Sequence, residues 1–211
     1  MANDQIVFIV DDDRRIRESL TELLSSYDMH AVAFGSAADY LAYPQPGLAA
    51  CLILDVELPD INGLELQTRL AHGYYPHIVF ITGHGDIPTS VRAIKAGAVD
   101  FLSKPFNATE LMRAVNAALE QNRAARRSRD DLGELTRRFS TLTPREREVL
   151  PLVASGLLNK QAAADLGISG VTLQIHRGKI MKKMCAGSLA ELVRMAGLLD
   201  MPVVTSRRSR R

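Results

Sequence analysis

The first half of the chain alternates short apolar runs with stretches whose apolar residues recur every three or four positions. "IVFIV" (6–10), "CLILD" (51–55) and "HIVFIT" (77–82) have strand length, and "AVAF" (31–34) and "VDFLS" (99–103) make two further strands. Between them, sets such as Ile16, Leu20, Leu23 and Leu24, or Leu64, Leu66 and Leu70, have helical spacing. Strands that are apolar without a break, separated by helices, predict a parallel sheet buried on both faces, a doubly wound α/β fold of five strands. Functional groups in such a sheet gather at the carboxyl ends of the strands.

From about residue 107 the pattern turns helical, with Leu111, Val115, Ala118 and Leu119 on one face. Residues 122–139, within "EQNRAARRSRDDLGELTRRFS", are charged and poor in aromatics, and read as a helical linker. Beyond it, "TPRE" forms a capping box, with Thr143 as N-cap, Pro144 at N1 and Glu146 at N3. That helix is predicted to end near Gly156, a second short one to follow Asn159 and stop near Gly167, and Ser169 to cap a third running to about Met184. Ser188 caps a fourth through Leu199. Two short helices joined by "LGIS" are a helix-turn-helix pattern, so 140–200 is read as an all-α four-helix domain. The basic residues within 201–211 read as a disordered tail.

Composition divides the chain in the same place. Its 211 residues suffice for two small domains, and no apolar run approaches the roughly 20 residues that span a bilayer. No secretory pattern opens the sequence, and Cys51 and Cys185 lack the spacing of a disulfide scaffold or zinc site, so a reducing cytoplasm is expected and no membrane partner. Residues 1–122 hold 8 Lys and Arg against 16 Asp and Glu, a net of −8; residues 123–211 hold 18 against 8, a net of +10. An acidic half followed by a basic half predicts a polyanionic partner, nucleic acid, for the second.

Within the acidic half, Asp11 and Asp12 follow the first apolar run and Asp55 ends "CLILD". Carboxylates so placed repel unless a cation sits among them, and oxygen ligands favour Mg2+, with Mn2+ as the alternative. Lys104 and Thr82, at other strand ends, bring a positive charge and a hydroxyl. Together these groups suit a phosphoryl group in transfer, with Asp55 as nucleophile and acceptor. Asp13 is better placed as the N-cap of the helix beginning near Arg14.

"VDDD", "LILDVELPDINGLEL", "FITGHGD" and "AGAVDFLSKPF", in this order, resemble the CheY-like, flavodoxin-like receiver domain of two-component response regulators over residues 4–121. The resemblance implies that Asp55 takes phosphate from a sensor histidine kinase and that Asp11, Asp12, Asp55 and the backbone carbonyl of Glu57 hold the metal. It also implies that Thr82 and Lys104 bind phosphoryl oxygens, with Thr82 and Phe101 moving together as a switch. Glu57 and His84 stand where the family varies the surroundings of the acceptor. "LTPREREVLPLVASGLLNKQAAADLGIS", followed by "HRGKIMKKM", resembles the LuxR-type helix-turn-helix of the NarL/FixJ family over 140–200. The implied protein dimerises on phosphorylation through the surface around residues 93–104 and the following helix. It binds double-stranded promoter DNA and acts on RNA polymerase, as an activator. An aspartyl-phosphate phosphatase of the haloacid dehalogenase type is the competing enzyme reading. It needs a second Asp two residues after the first, where this chain has Glu57.

The third basic-half helix can be oriented by its own periodicity. Leu173, Ile180 and Met184 fall on one face, leaving Val171, Ile175, Gly178 and Lys182 opposite, flanked by Gln174 and Lys179. Gln suits adenine, and Val or Ile a thymine methyl. Lys160, Thr172, Arg177, Lys179 and Lys182 read as phosphate positioners. His176 lies on the flank. The chain departs from the family in Val171, where a basic residue usually precedes the Thr, and in Gly170 and Gly178.

Overall fold

The computed structural model describes residues 4–45, 47–71, 75–83, 86–202 and 204. The chain divides into two compact units, Met1–Arg126 and Arg127–Arg211. In the first, strands β1 (Gln5–Val10), β2 (Ala31–Phe34), β3 (Ala49–Asp55), β4 (His77–Thr82) and β5 (Asp100–Ser103) pair in parallel in the order β2-β1-β3-β4-β5. Helices α1 (Arg14–Ser26), α2 (Ala37–Ala42), α3 (Gly63–Leu70), α4 (Ile87–Lys95) and α5 (Ala108–Ser140) connect and follow them. The sheet is buried on both faces because alternate residues of each strand serve different cores. Phe8, Leu52, Leu54 and Phe80 pack with Tyr40, Leu66 and Leu70 on one side. Val7, Ile9, Cys51, Ile53, Val79 and Ile81 pack with Leu20, Leu24, Leu111, Val115 and Leu119 on the other.

Burial leaves the Cys51 thiol well above its ordinary pKa, while Cys185, held at a left-handed φ of 57°, is exposed.

The segment read as a linker is helical throughout, as part of α5, and both units use it. Asn122 is buried in the first unit, where its Oδ1 accepts the Ala50 N–H at 3.1 Å and its Nδ2 donates to the Tyr75 carbonyl at 3.2 Å. Leu135 is buried in the core of the second. The charge of 122–139 hid these contacts, since each rests on a single uncharged side chain.

The second unit adds α6 (Pro144–Ala154), α7 (Asn159–Asp165), α8 (Gly170–Met184) and α9 (Leu189–Leu198). Thr143 and Glu146 form the reciprocal capping box, and Gly156 takes a φ of 78° just past the end of α6. Ser169 and Ser188 accept N–H groups of the first turns of α8 and α9. Asn159 is itself the first residue of α7, and the N-cap Leu158 has no side-chain acceptor; the side chain of Gln161 reaches back to accept the Leu158 N–H at 3.0 Å. Val149, Leu150, Leu173, Ile180, Met184 and Leu192 fill the core. His84 and residues 205–211 lie outside the described residues, as do the expectations attached to them.

Candidate functional site

Four of the five strand ends bring polar residues to one edge of the sheet: Asp11 and Asp12 after β1, Asp55 ending β3, Thr82 ending β4 and Lys104 just past β5. The Lys104 ammonium lies 2.7 Å from Asp11 Oδ2 and 2.6 Å from Asp55 Oδ2. The other oxygens of the two carboxylates are also engaged: Asp11 Oδ1 accepts the Asp13 N–H at 2.8 Å, and Asp55 Oδ1 accepts the Glu57 N–H at 2.9 Å. Asp12 is exposed, yet one ligand atom from each of Asp11, Asp12 and Asp55 can be chosen within 4.8 Å of the others. Thr82 is fully buried at the end of β4, and its carbonyl accepts the Lys104 N–H at 2.7 Å. The peptide bond between Lys104 and Pro105 is cis. Phe101 is half-buried on β5, its ring 6.1 Å from that of Phe80. The Glu57 side chain is exposed.

The electrostatics show a pocket short of positive charge. Burial pushes the Asp11 carboxyl above its ordinary range, although Lys104 and the Asp13 N–H pull it down. For Lys104, burial disfavours the charge, but hydrogen bonds and charges of Asp11 and Asp55 outweigh it and hold the ammonium above its usual pKa. Two carboxylates almost sealed from water share one cation, with a third at the rim. An oxygen-only set with surplus negative charge fits a hard divalent ion such as Mg2+.

Several supporting residues were not evident in the sequence. Arg17 Nη1 donates to the carbonyls of Asp11 and Asp12, at 2.7 and 2.8 Å, and so fixes the loop that aims both carboxylates. Asp60 accepts the Ala38 N–H at 3.0 Å, anchoring the loop after Asp55 to the start of α2. Gly63 is required by close approach: a Cβ there would stand 2.4 Å from the Asp55 carbonyl oxygen. "ING" ahead of a helical pattern was the one available signal.

In the second unit, Val171, Gln174, Ile175, Gly178, Lys179 and Lys182 of α8 are exposed, with Lys160 exposed on α7. Thr172 is half-buried beside Ser169, its hydroxyl 2.8 Å away, and Arg177 is half-buried, donating to Asn159 Oδ1 at 3.1 Å. His176 is half-buried with Nδ1 enclosed and without a hydrogen-bond partner, so it faces the protein. Val171 and Ile175, at 73% and 54% exposure one turn apart, give α8 an apolar ridge between basic residues. Such a helix can meet base edges with its ridge and phosphates with its flanks. Among the described residues no helix is long and apolar enough to cross a membrane.

Comparison with known proteins agrees with both units. Residues 7–116 match the response regulator receiver domain, and residues 140–196 match the bacterial regulatory proteins of the luxR family. The chain is 52% identical over 195 residues to nodulation protein W of Bradyrhizobium diazoefficiens, covering 92% of this chain and 86% of that one. It is 43% identical over 195 residues to the transcriptional regulatory protein FixJ of Rhizobium meliloti, covering 92% and 95%. Among solved structures, response regulator StyR superposes with a TM-score of 0.80 at 44% identity, covering 92% of this chain and 98% of that one. FixJ and StyR are named as regulators and both matched families are regulatory, not turnover enzymes, which sets the phosphatase reading aside. A receiver with its acidic edge and a LuxR-type helix-turn-helix on one chain place this protein in the NarL/FixJ family of two-component response regulators.

Proposed function

We propose that Asp55 is the phosphoryl acceptor of a transcriptional switch, with phosphohistidine of a sensor kinase as donor. The observation that carries this is Asp55 at the end of β3, nearly buried, 2.6 Å from Lys104 and grouped with Asp11 and Asp12. An Asp55 oxygen attacks phosphorus and forms a P–O bond. The P–N bond to the donor histidine breaks, and the imidazole nitrogen keeps the electron pair and takes up a proton. Asp11, Asp12, Asp55 and the Glu57 carbonyl would hold Mg2+, or Mn2+ in its place. When bound, the ion neutralises phosphoryl charge that would otherwise repel the carboxylates. Lys104 and Thr82 receive the phosphoryl oxygens. An apolar groove lined by Ile16, Leu20, Leu23, Pro105 and Phe106 reaches Lys104 and offers the kinase an approach to the site.

Occupancy of Asp55 draws Thr82 and Phe101 inward and favours pairing of two receivers through the surface around residues 93–104 and α5. Ile87, Val91 and Ile94, exposed along α4, supply apolar area beside it. Two helix-turn-helix units then engage paired half-sites, and linkage multiplies the affinity of each. Lys160, Thr172, Arg177, Lys179 and Lys182 position phosphates, and Val171, Gln174, Ile175 and Gly178 face the bases. Bound at a promoter, the dimer recruits RNA polymerase and activates transcription. The test is size in solution with Mg2+, with and without a small phosphoryl donor, for the wild type and Asp55→Ala. Dimerisation only in the wild type with donor supports the switch; no change, or a change that survives Asp55→Ala, overturns it.

A further inference from the structure

The first residue of α7 is tied to two residues of α8 by hydrogen bonds of fixed polarity. Arg177 Nη1 donates to Asn159 Oδ1 at 3.1 Å, and Asn159 Nδ2 donates to Gln174 Oε1 at 3.1 Å. Arginine can only donate. The Asn159 oxygen must therefore face Arg177, its amide nitrogen must face Gln174, and Gln174 must answer with its oxygen. The Gln174 NH2 is left pointing away from Asn159 on an exposed side chain.

We infer that Asn159 is a specificity-determining residue: through Arg177 and Gln174 it presents an amide donor, not an amide acceptor, to the DNA. This rests on the reading of α8 as the base-facing helix. Guanine offers two acceptors in the major groove, N7 and O6, whereas adenine offers one acceptor and one donor. The usual bidentate pairing of Gln with adenine needs the amide oxygen and nitrogen side by side on the base, and here the oxygen, with one of its two lone pairs taken, is turned to Asn159 while the NH2 stays free. Guanine is thus favoured over adenine opposite Gln174, which reverses the expectation drawn from residue type alone. The Asn159 side chain is available for this because it caps nothing: Gln161, not Asn159, accepts the Leu158 N–H at the start of α7.

The polarity can be inverted by a single atom. Asn159→Asp keeps an acceptor for Arg177 but offers an acceptor, not a donor, to Gln174. Gln174 must then turn its NH2 inward and its oxygen outward, toward bases with an exocyclic amine. The phosphorylated full chain is used to select binding sites from a randomised duplex pool, alongside Asn159→Asp, Asn159→Ala and Gln174→Ala, each checked for native helix content. Gln174→Ala identifies the position that Gln174 reads, because preference there flattens. At that position the wild type is expected to enrich guanine over adenine, and Asn159→Asp to shift the ratio by about tenfold toward adenine or cytosine. If the Asp variant no longer binds, Asn159→Ala carries the test, with adenine rising against guanine. An unchanged base preference in the Asn159 variants, adenine in the wild type, or no position sensitive to Gln174→Ala overturns the inference. A wild type that enriches no sequence overturns the DNA-facing reading of α8 itself.

Discussion

The Lys183 ammonium lies 2.6 Å from Glu146 Oε2, the same oxygen that accepts the Thr143 N–H at 2.8 Å. One buried carboxylate thus closes the capping box of α6 and ties the start of that helix to the end of α8. Lys183 also donates to the Thr141 carbonyl at 3.2 Å. Removing the carboxylate leaves the Thr143 N–H without its acceptor and Lys183 without its charge partner. Glu146→Ala is expected to destabilise the second unit by about 2–4 kcal/mol, measured by urea unfolding.

The same carboxylate gives the second unit an acid limit. Burial works to raise the Glu146 pKa, but Lys183 and the Thr143 groups outweigh it and the folded value lies below the ordinary one. A depressed folded pKa means stabilisation that is complete above the unfolded value, about 4.3, and lost as pH falls through the folded one. Stability of the second unit should fall more steeply below about pH 4.3 in the wild type than in Glu146→Gln. Equal slopes by calorimetry across that range would remove Glu146 from the account.

Lys104 occupies oxygens of Asp11 and Asp55 that a metal ion would take, and in the proposed switch it also serves the phosphoryl group. Lys104→Ala should therefore separate the two roles. Mg2+ is expected to bind more tightly, because the ammonium no longer occupies both carboxylates, while phosphorylation by a small donor slows at least about tenfold. Calorimetric Mg2+ titration and a phosphorylation time course read the two effects. Weaker Mg2+ binding in the variant would contradict the competition.

At Gly63 a methyl group would meet main chain, with the Asp55 carbonyl oxygen at 2.4 Å and Val56 Cα at 3.1 Å. Neither can step aside without moving the end of β3. Gly63→Ala should cost about 1–3 kcal/mol and slow phosphorylation of Asp55 by displacing it. A thermal melt and the same time course check both; a stable variant with normal phosphorylation would show that the loop yields freely.

Asn122 satisfies the Ala50 N–H on β3 from 72 residues away. Asn122→Ala leaves that donor buried and unpaired, at a cost of about 1–3 kcal/mol. Hydrogen exchange at Ala50 should accelerate in proportion, while the amides of α8 keep their wild-type rates.

The contrast between Asp55 and Asn122 shows what could be read from the sequence. Asp55 ends an apolar run, and in a sheet buried on both faces the first polar residue after such a run marks the functional edge. The same logic reached Asp11 and Thr82, Lys104 follows the last run one residue past Ser103, and helical periodicity sorted Leu173, Ile180 and Met184 from the exposed face of α8. Asn122, Arg17 and Asn159 left no such trace. Their partners are backbone carbonyls, a backbone N–H, or side chains on another helix, and chain separation hides those pairings. Asn159 also stands where helices commonly start, so its type suggested a boundary when its side chain serves α8.

The two cysteines bear on how the protein can be observed. Cys51 is sealed in the core with its thiol held far from ionisation, and the thiolate is the reactive form. Cys185 stands exposed at the end of the helix that carries Val171 and Gln174. A maleimide dye or spin label added to the unaltered protein should therefore attach at one place, giving a built-in reporter on α8 with no residue changed to install it.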